Sequence, residues 1–171
     1  MKSIRWIMAA AAVALATAAL RAEPVAPRPA PDWKLKDVNG KVVNSGQFKG
    51  KVVVVDFWAT WCGPCRREIP GYVKLQKKYG KDGLVIVGMS VDQQGPEVVK
   101  DFIAKYGVDY QIVMADDAAT EAFAGDQPIE AIPTTFIIDR DGKIRDRKMG
   151  AEDTAEYEKT ILQYLKPAAS E

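Results

Sequence analysis

The chain of 171 residues contains no histidine. That excludes imidazole as the base that activates a serine or cysteine nucleophile, and it excludes histidine-ligated metal and haem sites. Cysteine is nearly as scarce, with only Cys62 and Cys65 present. Two thiols without histidine cannot complete a four-ligand structural zinc site in one chain, so no metal is expected. A C-x-x-C pair with no histidine after it is not a haem-attachment signal. An excess of charge is missing too. Lys and Arg number 24 against 23 Asp and Glu, the net charge is +1, and no long basic run occurs, so nucleic acid is not an expected partner. No apolar run reaches the roughly 20 residues of a membrane-spanning helix.

The run that comes nearest lies at the amino terminus, from Ile7 to Leu20, with Thr17 its one polar residue. Lys2 and Arg5 precede it. A basic start and a short apolar stretch have the form of a secretory signal. Residues 1–22 are therefore expected to be a signal peptide, or an anchor through residues 4–20 if the segment is retained. Ala16-Thr17-Ala18 and Leu20-Arg21-Ala22 both stay open as cleavage sites, and the absence of a nearby cysteine excludes a lipid anchor. Residues 23–31 carry Pro24, Pro27, Pro29 and Pro31. They are expected to form an extended linker of roughly 28 Å that joins neither helix nor sheet. The composition, 47% hydrophobic and 27% charged, fits one globular domain, expected over residues 32–167, with 168–171 as a tail.

Within the domain, Asn39-Gly40 between short apolar runs predicts a β-hairpin. Val52 to Phe57 is a β-branched run that suits a central strand buried on both faces. Gly63-Pro64 opens a helix, with Ile69, Tyr72, Val73 and Tyr79 at helical spacing and Pro70 expected to kink it. Leu84 to Val91 reads as a second buried strand, and Gly95-Pro96 begins another helix. A short strand follows at Tyr110 to Met114, a short helix at Ala118 to Ala124, and a strand at Pro133 to Asp139. Asp141-Gly142 turns into Lys143 to Met149, and Asp153 with Glu156 starts a last helix. Helices between strands imply parallel pairing, and the late hairpin adds an antiparallel edge. The expected fold class is α/β: a central mixed sheet flanked by helices, with an N-terminal β-hairpin and an inserted strand–helix segment.

Cys62-Gly63-Pro64-Cys65 lies where an apolar strand gives way to a helix, and a C-x-x-C pair in that setting reads as a redox dithiol. Only the thiolate attacks a disulfide. An ordinary thiol is a few per cent ionised at neutral pH, and a helix N-terminus raises that fraction. Cys62, just before the helix, is the expected nucleophile. Cys65, one turn on, is the expected resolving thiol. A fixed structural disulfide across so small a loop would stabilise the fold very little. Asp56 is the anomaly of the buried strand, because a carboxylate there needs a partner or a task. Glu68 is the second candidate carboxylate. Trp58 is expected in the core and Trp61 at the surface beside Cys62. Arg66 and Arg67 read as a solvated helix face.

Val54 to Cys65, with Gly50 to Val53 before it and Arg66-Arg67-Glu68-Ile69-Pro70 after it, resembles the active-site segment of the thioredoxin superfamily, and in particular its exported TlpA/ResA-type thiol–disulfide oxidoreductases. Ala131-Ile132-Pro133-Thr134-Thr135-Phe136-Ile137-Ile138-Asp139 resembles their second motif. The resemblance spans about Trp33 to Leu165. It implies a thioredoxin-like fold, a redox disulfide between Cys62 and Cys65, and a cis bond at Ile132–Pro133. It also implies a substrate-binding surface that takes in Trp61, Gly63, Pro64, Ile132 and Pro133. By the same resemblance Asp56, ahead of Glu68, relays the proton of Cys65. The thioredoxin lysine that approaches this aspartate is replaced here, at the matching position, by Gly88, so the Asp56 pKa is expected to rise further. No cofactor is implied.

The expected partners are client proteins with disulfides, among them the haem-binding cysteines of cytochromes c, and a membrane thiol relay as electron donor, in an exported, periplasmic setting. The membrane itself is a partner only if the N-terminal segment is kept. The Gly-Pro spacer favours a reductase. A disulfide oxidase or isomerase, and a copper(I) metallochaperone using the same dithiol, stand as alternatives. Ala59, where a peroxidase carries threonine, argues against peroxide chemistry.

Overall fold

The computed structural model describes residues 27–165, and the expected signal, the start of the expected linker and the tail lie outside them. In chain order the strands and helices are β1 (Arg28–Pro29), β2 (Lys34–Lys36), β3 (Val42–Asn44), β4 (Val52–Trp58), α1 (Gly63–Tyr79), β5 (Leu84–Ser90), α2 (Pro96–Tyr106), β6 (Gln111–Met114), α3 (Asp117–Ala124), β7 (Thr134–Ile138), β8 (Lys143–Met149) and α4 (Thr154–Leu165). Short 3-10 turns follow β3 and α1.

Strand β4 is central because its sequence suits no other place. Every residue from Val52 to Trp58 is buried. It pairs in parallel with β5 and antiparallel with β7 in a sheet ordered β1-β8-β7-β4-β5-β6. Alternate side chains feed two cores, as a strand's period of two requires. Val52, Val54 and Trp58 join Ile69, Tyr72 and Leu75 of α1, Val99 and Phe102 of α2, and Tyr157 and Ile161 of α4. Val53, Val55 and Phe57 join Trp33, Leu35 and Val43 of the hairpin and Ala119 and Phe123 of α3 on the other face. Burying such side chains contributes about 1.5–3 kcal/mol each.

The β2–β3 hairpin forms around Asn39-Gly40, with Gly40 at φ 81° in the left-handed region that turn needs. Asp37 bridges to Val113 at the open side of β6. Helix α1 runs unbroken through Pro70, which sits on its exposed side. There water can take the Arg66 carbonyl that has lost its helical partner.

One expectation fails. Arg28–Pro29, read as linker unable to join a sheet, is the edge strand β1. Arg28 pairs with Ile144 and Pro29 with Lys143, and the Ala30 amide donates to Gly142 O at 2.8 Å. Proline is tolerated on an edge strand, where its missing N–H leaves no ladder bond unmade inside the sheet. The Arg28 guanidinium also donates to the Phe123 carbonyl at the end of α3.

The second core gives a direct test. Phe123 is fully buried, edge-on to Phe57 at 5.5 Å and against Phe136 at 5.2 Å between ring centroids. Phe123→Ala is expected to cost about 3–5 kcal/mol, read as a lowered urea midpoint at unchanged slope.

Candidate functional site

The dithiol sits where β4 ends and α1 begins, and Cys62 and Cys65 are joined in a disulfide. Cys62 is the N-cap of α1, and its sulfur accepts the Cys65 amide N–H at 3.2 Å. Gly63 and Pro64 form the first helical positions, where proline gives up no needed donor. Orphan N–H groups and the positive end of the helix therefore face the Cys62 sulfur. The Ile132–Pro133 bond is cis, as the family resemblance implied, and the Ile132 carbonyl oxygen lies 3.7 Å from Cys62 Sγ. Trp61 is 66% exposed beside the disulfide, while Trp58 is fully buried. Trp61, Gly63 and Pro64 on one side and Ile132 and Pro133 on the other thus meet around Cys62.

Beneath α1 lies a buried polar cluster. Asp56 is 1% exposed, and its Oδ1 accepts the Thr135 hydroxyl at 3.2 Å. The Thr135 oxygen in turn accepts the hydroxyls of Tyr72 and Tyr157, each at 3.1 Å. One hydroxyl proton and two lone pairs are thereby fully used. Asp56 Oδ2 has no protein partner. Burial, reinforced by the negative charge of Glu68, pushes the Asp56 carboxyl up to about 8 against the lowering pull of the Thr135 bond. Tyr72 and Tyr157 are also raised, mainly by burial, and stay neutral donors.

Glu68 is 5% exposed, a buried residue on the inner side of α1. Its Oε1 accepts the Glu152 amide at 2.7 Å, which ties α1 to the connector after β8. That connector also reaches the second motif, because the Gly150 amide donates to Pro133 O at 2.8 Å. Burial raises the Glu68 pKa, partly offset by the Glu152 N–H.

Gly88 stands opposite Asp56 in the β4–β5 register. A Cβ there would lie 2.6 Å from Ile112 Cδ1 and 2.8 Å from Trp58 Nε1. In this packing the Trp58 indole and the end of Ile112 fill the space beside Gly88, so a side chain there requires them to shift. Arg66 is exposed, as expected, and also meets α2. Its guanidinium donates to the Tyr106 hydroxyl at 2.6 Å and lies over the Tyr106 and Phe102 rings of α2. Arg147 donates to Gln127 O at 2.8 Å and Pro128 O at 2.6 Å, fixing the loop that leads into Pro133.

The sequence had not marked Thr135, Tyr72 or Tyr157 as site residues. The signal lay in register: Thr135 pairs directly with Asp56 across β4 and β7. A carboxyl and a hydroxyl facing each other across two largely apolar strands are a partnership rather than two anomalies.

Residues 26–164 match the Redoxin family. The chain is 35% identical over 138 residues to Thiol-disulfide oxidoreductase ResA of Bacillus cereus, covering 81% of this chain and 77% of that one. It is 35% identical over 133 residues to Thioredoxin-like protein YneN of Bacillus subtilis, covering 77% and 76%. A solved thiol:disulfide interchange protein of the thioredoxin family from Chlorobium tepidum superposes with a TM-score of 0.77 at 35% identity, over 83% of this chain and 99% of that one. The fold is thioredoxin-like.

The raised carboxyl has a measurable consequence. Asp56 loses its proton near 3.8 in the unfolded chain and near 8 in the folded one. Between those values the native state holds a proton that the unfolded state has released, so this group's contribution to stability falls as pH rises. Asp56→Asn is expected to flatten that slope and to be the more stable protein at about pH 8. Urea midpoints for both proteins across the range check it, and identical slopes would mean an ordinary aspartate.

Proposed function

The chain belongs to the Redoxin family and is a thiol–disulfide oxidoreductase; from that premise we propose that it works as a reductase of disulfides in exported client proteins. The observation that carries this reading is the Cys62 sulfur at the N-terminus of α1, accepting the Cys65 N–H at 3.2 Å beside the exposed Trp61. The same contact favours a thiolate at Cys62 once the disulfide is opened.

The reaction balances on two electrons. The Cys62 thiolate attacks one sulfur of a client disulfide, that S–S bond breaks, and the client's other sulfur leaves as a thiolate that takes a proton from water. Cys65 then attacks Cys62 Sγ in the mixed disulfide. The client's second thiolate leaves, and the protein ends as the Cys62–Cys65 disulfide. Cys65 must lose its proton to attack. Asp56 is its proposed acceptor, ahead of Glu68. A carboxyl raised to about 8 is matched to a thiol, so the transfer is near thermoneutral in both directions. The proton then rests on Asp56 in the oxidised protein and returns to Cys65 when the disulfide is reduced again. The client strand would lie along Ile132 and Pro133, with Trp61, Gly63 and Pro64 completing its contact.

Lys2, Arg5 and the apolar stretch from Ile7 to Leu20 support export to the periplasm, with a membrane thiol relay returning the electrons. Domain limits at residues 32–167 fit this arrangement, with β1 extending them to Arg28. Family membership is consistent with disulfide-bearing clients. Haem-binding cysteines of cytochromes c are one such class.

A reduction potential near roughly −270 mV is expected, with reduction of insulin disulfides by protein recycled with dithiothreitol. A potential near about −120 mV would make it an oxidase. Tight copper(I) binding with no insulin reduction would make it a metal carrier. In cells, Cys65→Ser should accumulate mixed disulfides through Cys62 with exported proteins.

A further inference from the structure

Thr60 lies in the loop that joins β4 to α1, two residues before Cys62. It is gripped by a residue from neither element. Asp92, just past β5, is 5% exposed. Its Oδ2 accepts the Thr60 amide at 2.9 Å, and its Oδ1 accepts the Thr60 hydroxyl at 2.6 Å. The hydroxyl of Ser90, itself fully buried, donates to Oδ2 at 2.9 Å, and the Ser90 oxygen accepts the Asp92 amide at 3.1 Å. Among the described residues no lysine or arginine forms an ion pair with Asp92. Its charge is held in the interior by these donors alone, and most of them belong to the loop.

The loop has two further ties. The Val91 amide donates to Trp58 O at 2.9 Å, and the Cys62 amide donates to Ala59 O at 3.1 Å. Together they set the direction in which the chain enters α1, and so where the Cys62 sulfur stands relative to the Cys65 N–H. In the oxidised protein the bond to Cys65 holds that sulfur as well. When the bond opens, the covalent restraint disappears and the loop's anchors remain.

We infer that Asp92 and Thr60 form a clamp that positions the Cys62 sulfur over the N-terminus of α1 in the reduced protein. Asp92 is a positioning residue: it acts on the sulfur through Thr60. This deepens the proposed reductase reading and rests on it for its role in turnover, though the clamp itself is testable without a client.

The clamp predicts a sign that charge alone would reverse. Removing a nearby negative charge makes a thiol more acidic, whereas loosening its hold on a helix N-terminus makes it less acidic. Thr60→Val keeps the charge and the shape but deletes the hydroxyl bond. Asp92→Asn removes the charge and replaces one accepting oxygen with a donor. Both are expected to raise the Cys62 pKa, followed by thiolate ultraviolet absorbance of the reduced protein. Both should also make the dithiol more reducing, by about tenfold in the thiol–disulfide equilibrium constant, or about 30 mV. Thr60→Ser should restore wild-type values. The inference is overturned if both variants lose thermal stability while titration and potential stay at wild-type values. It is overturned equally if Asp92→Asn lowers the pKa and Thr60→Val leaves it unmoved. Thr60→Val, the milder change, keeps the test alive if Asp92→Asn fails to fold. Wild-type protein that reduces no insulin would remove the reductase reading and leave these titrations to judge the clamp.

Discussion

A carboxyl group in the middle of a strand buried on both faces is the constraint from which the rest of the site follows. Asp56 has apolar neighbours along β4 and no cation from β5, since Gly88 stands where one would start. A lone charge there would be strongly unfavourable, so in the disulfide-bonded protein burial pushes the carboxyl up to about 8, and the group takes one hydrogen bond from Thr135. Tyr72 from α1 and Tyr157 from α4 complete the Thr135 hydroxyl, so two helices and two strands converge on one carboxyl. A Cβ at position 88 would lie 2.6 Å from Ile112 Cδ1 and 2.8 Å from Trp58 Nε1, so a larger residue there requires these neighbours to shift.

The dithiol is fixed from several directions at once. Helix α1 supplies the N–H that meets Cys62, the segment before β7 supplies the Ile132 carbonyl, and Asp92 supplies the grip on Thr60. Glu68 adds a longer connection, since its carboxylate holds Glu152 while Gly150 holds Pro133. The residues around Cys62 therefore belong to distant parts of the sequence but to one hydrogen-bonded frame. Such a frame keeps a reactive sulfur aimed.

Much of this was legible because local chemistry and global position agree. Val52 to Phe57 is too apolar for any place but the sheet's centre. Gly63-Pro64 opens a helix at Cys62, and Asp56 stands out as a charge in an apolar run. What escaped depends on pairing rather than on local pattern. Thr135 matters through its register with Asp56. Asp92 matters through a loop 32 residues earlier. Glu68 was within reach: with Cys65, Ile69 and Tyr72 it lies on one helical face by spacing alone, and only its charge argued for the outside. Arg28–Pro29 carries no strand pattern, and its pairing is decided by the free side of β8.

That short strand has a consequence beyond its size. A sheet of six strands has two margins, and each is a row of unpaired amides and carbonyls on which another chain can nucleate. Here β1 covers β8 with only two residues, one of them proline, while Asp37 of the hairpin bridges onto β6 at the far margin. Both borders are therefore partly occupied by the chain's own residues, at Lys143 and Ile144 of β8 and at Val113 of β6, which shortens the stretch on which another strand can pair.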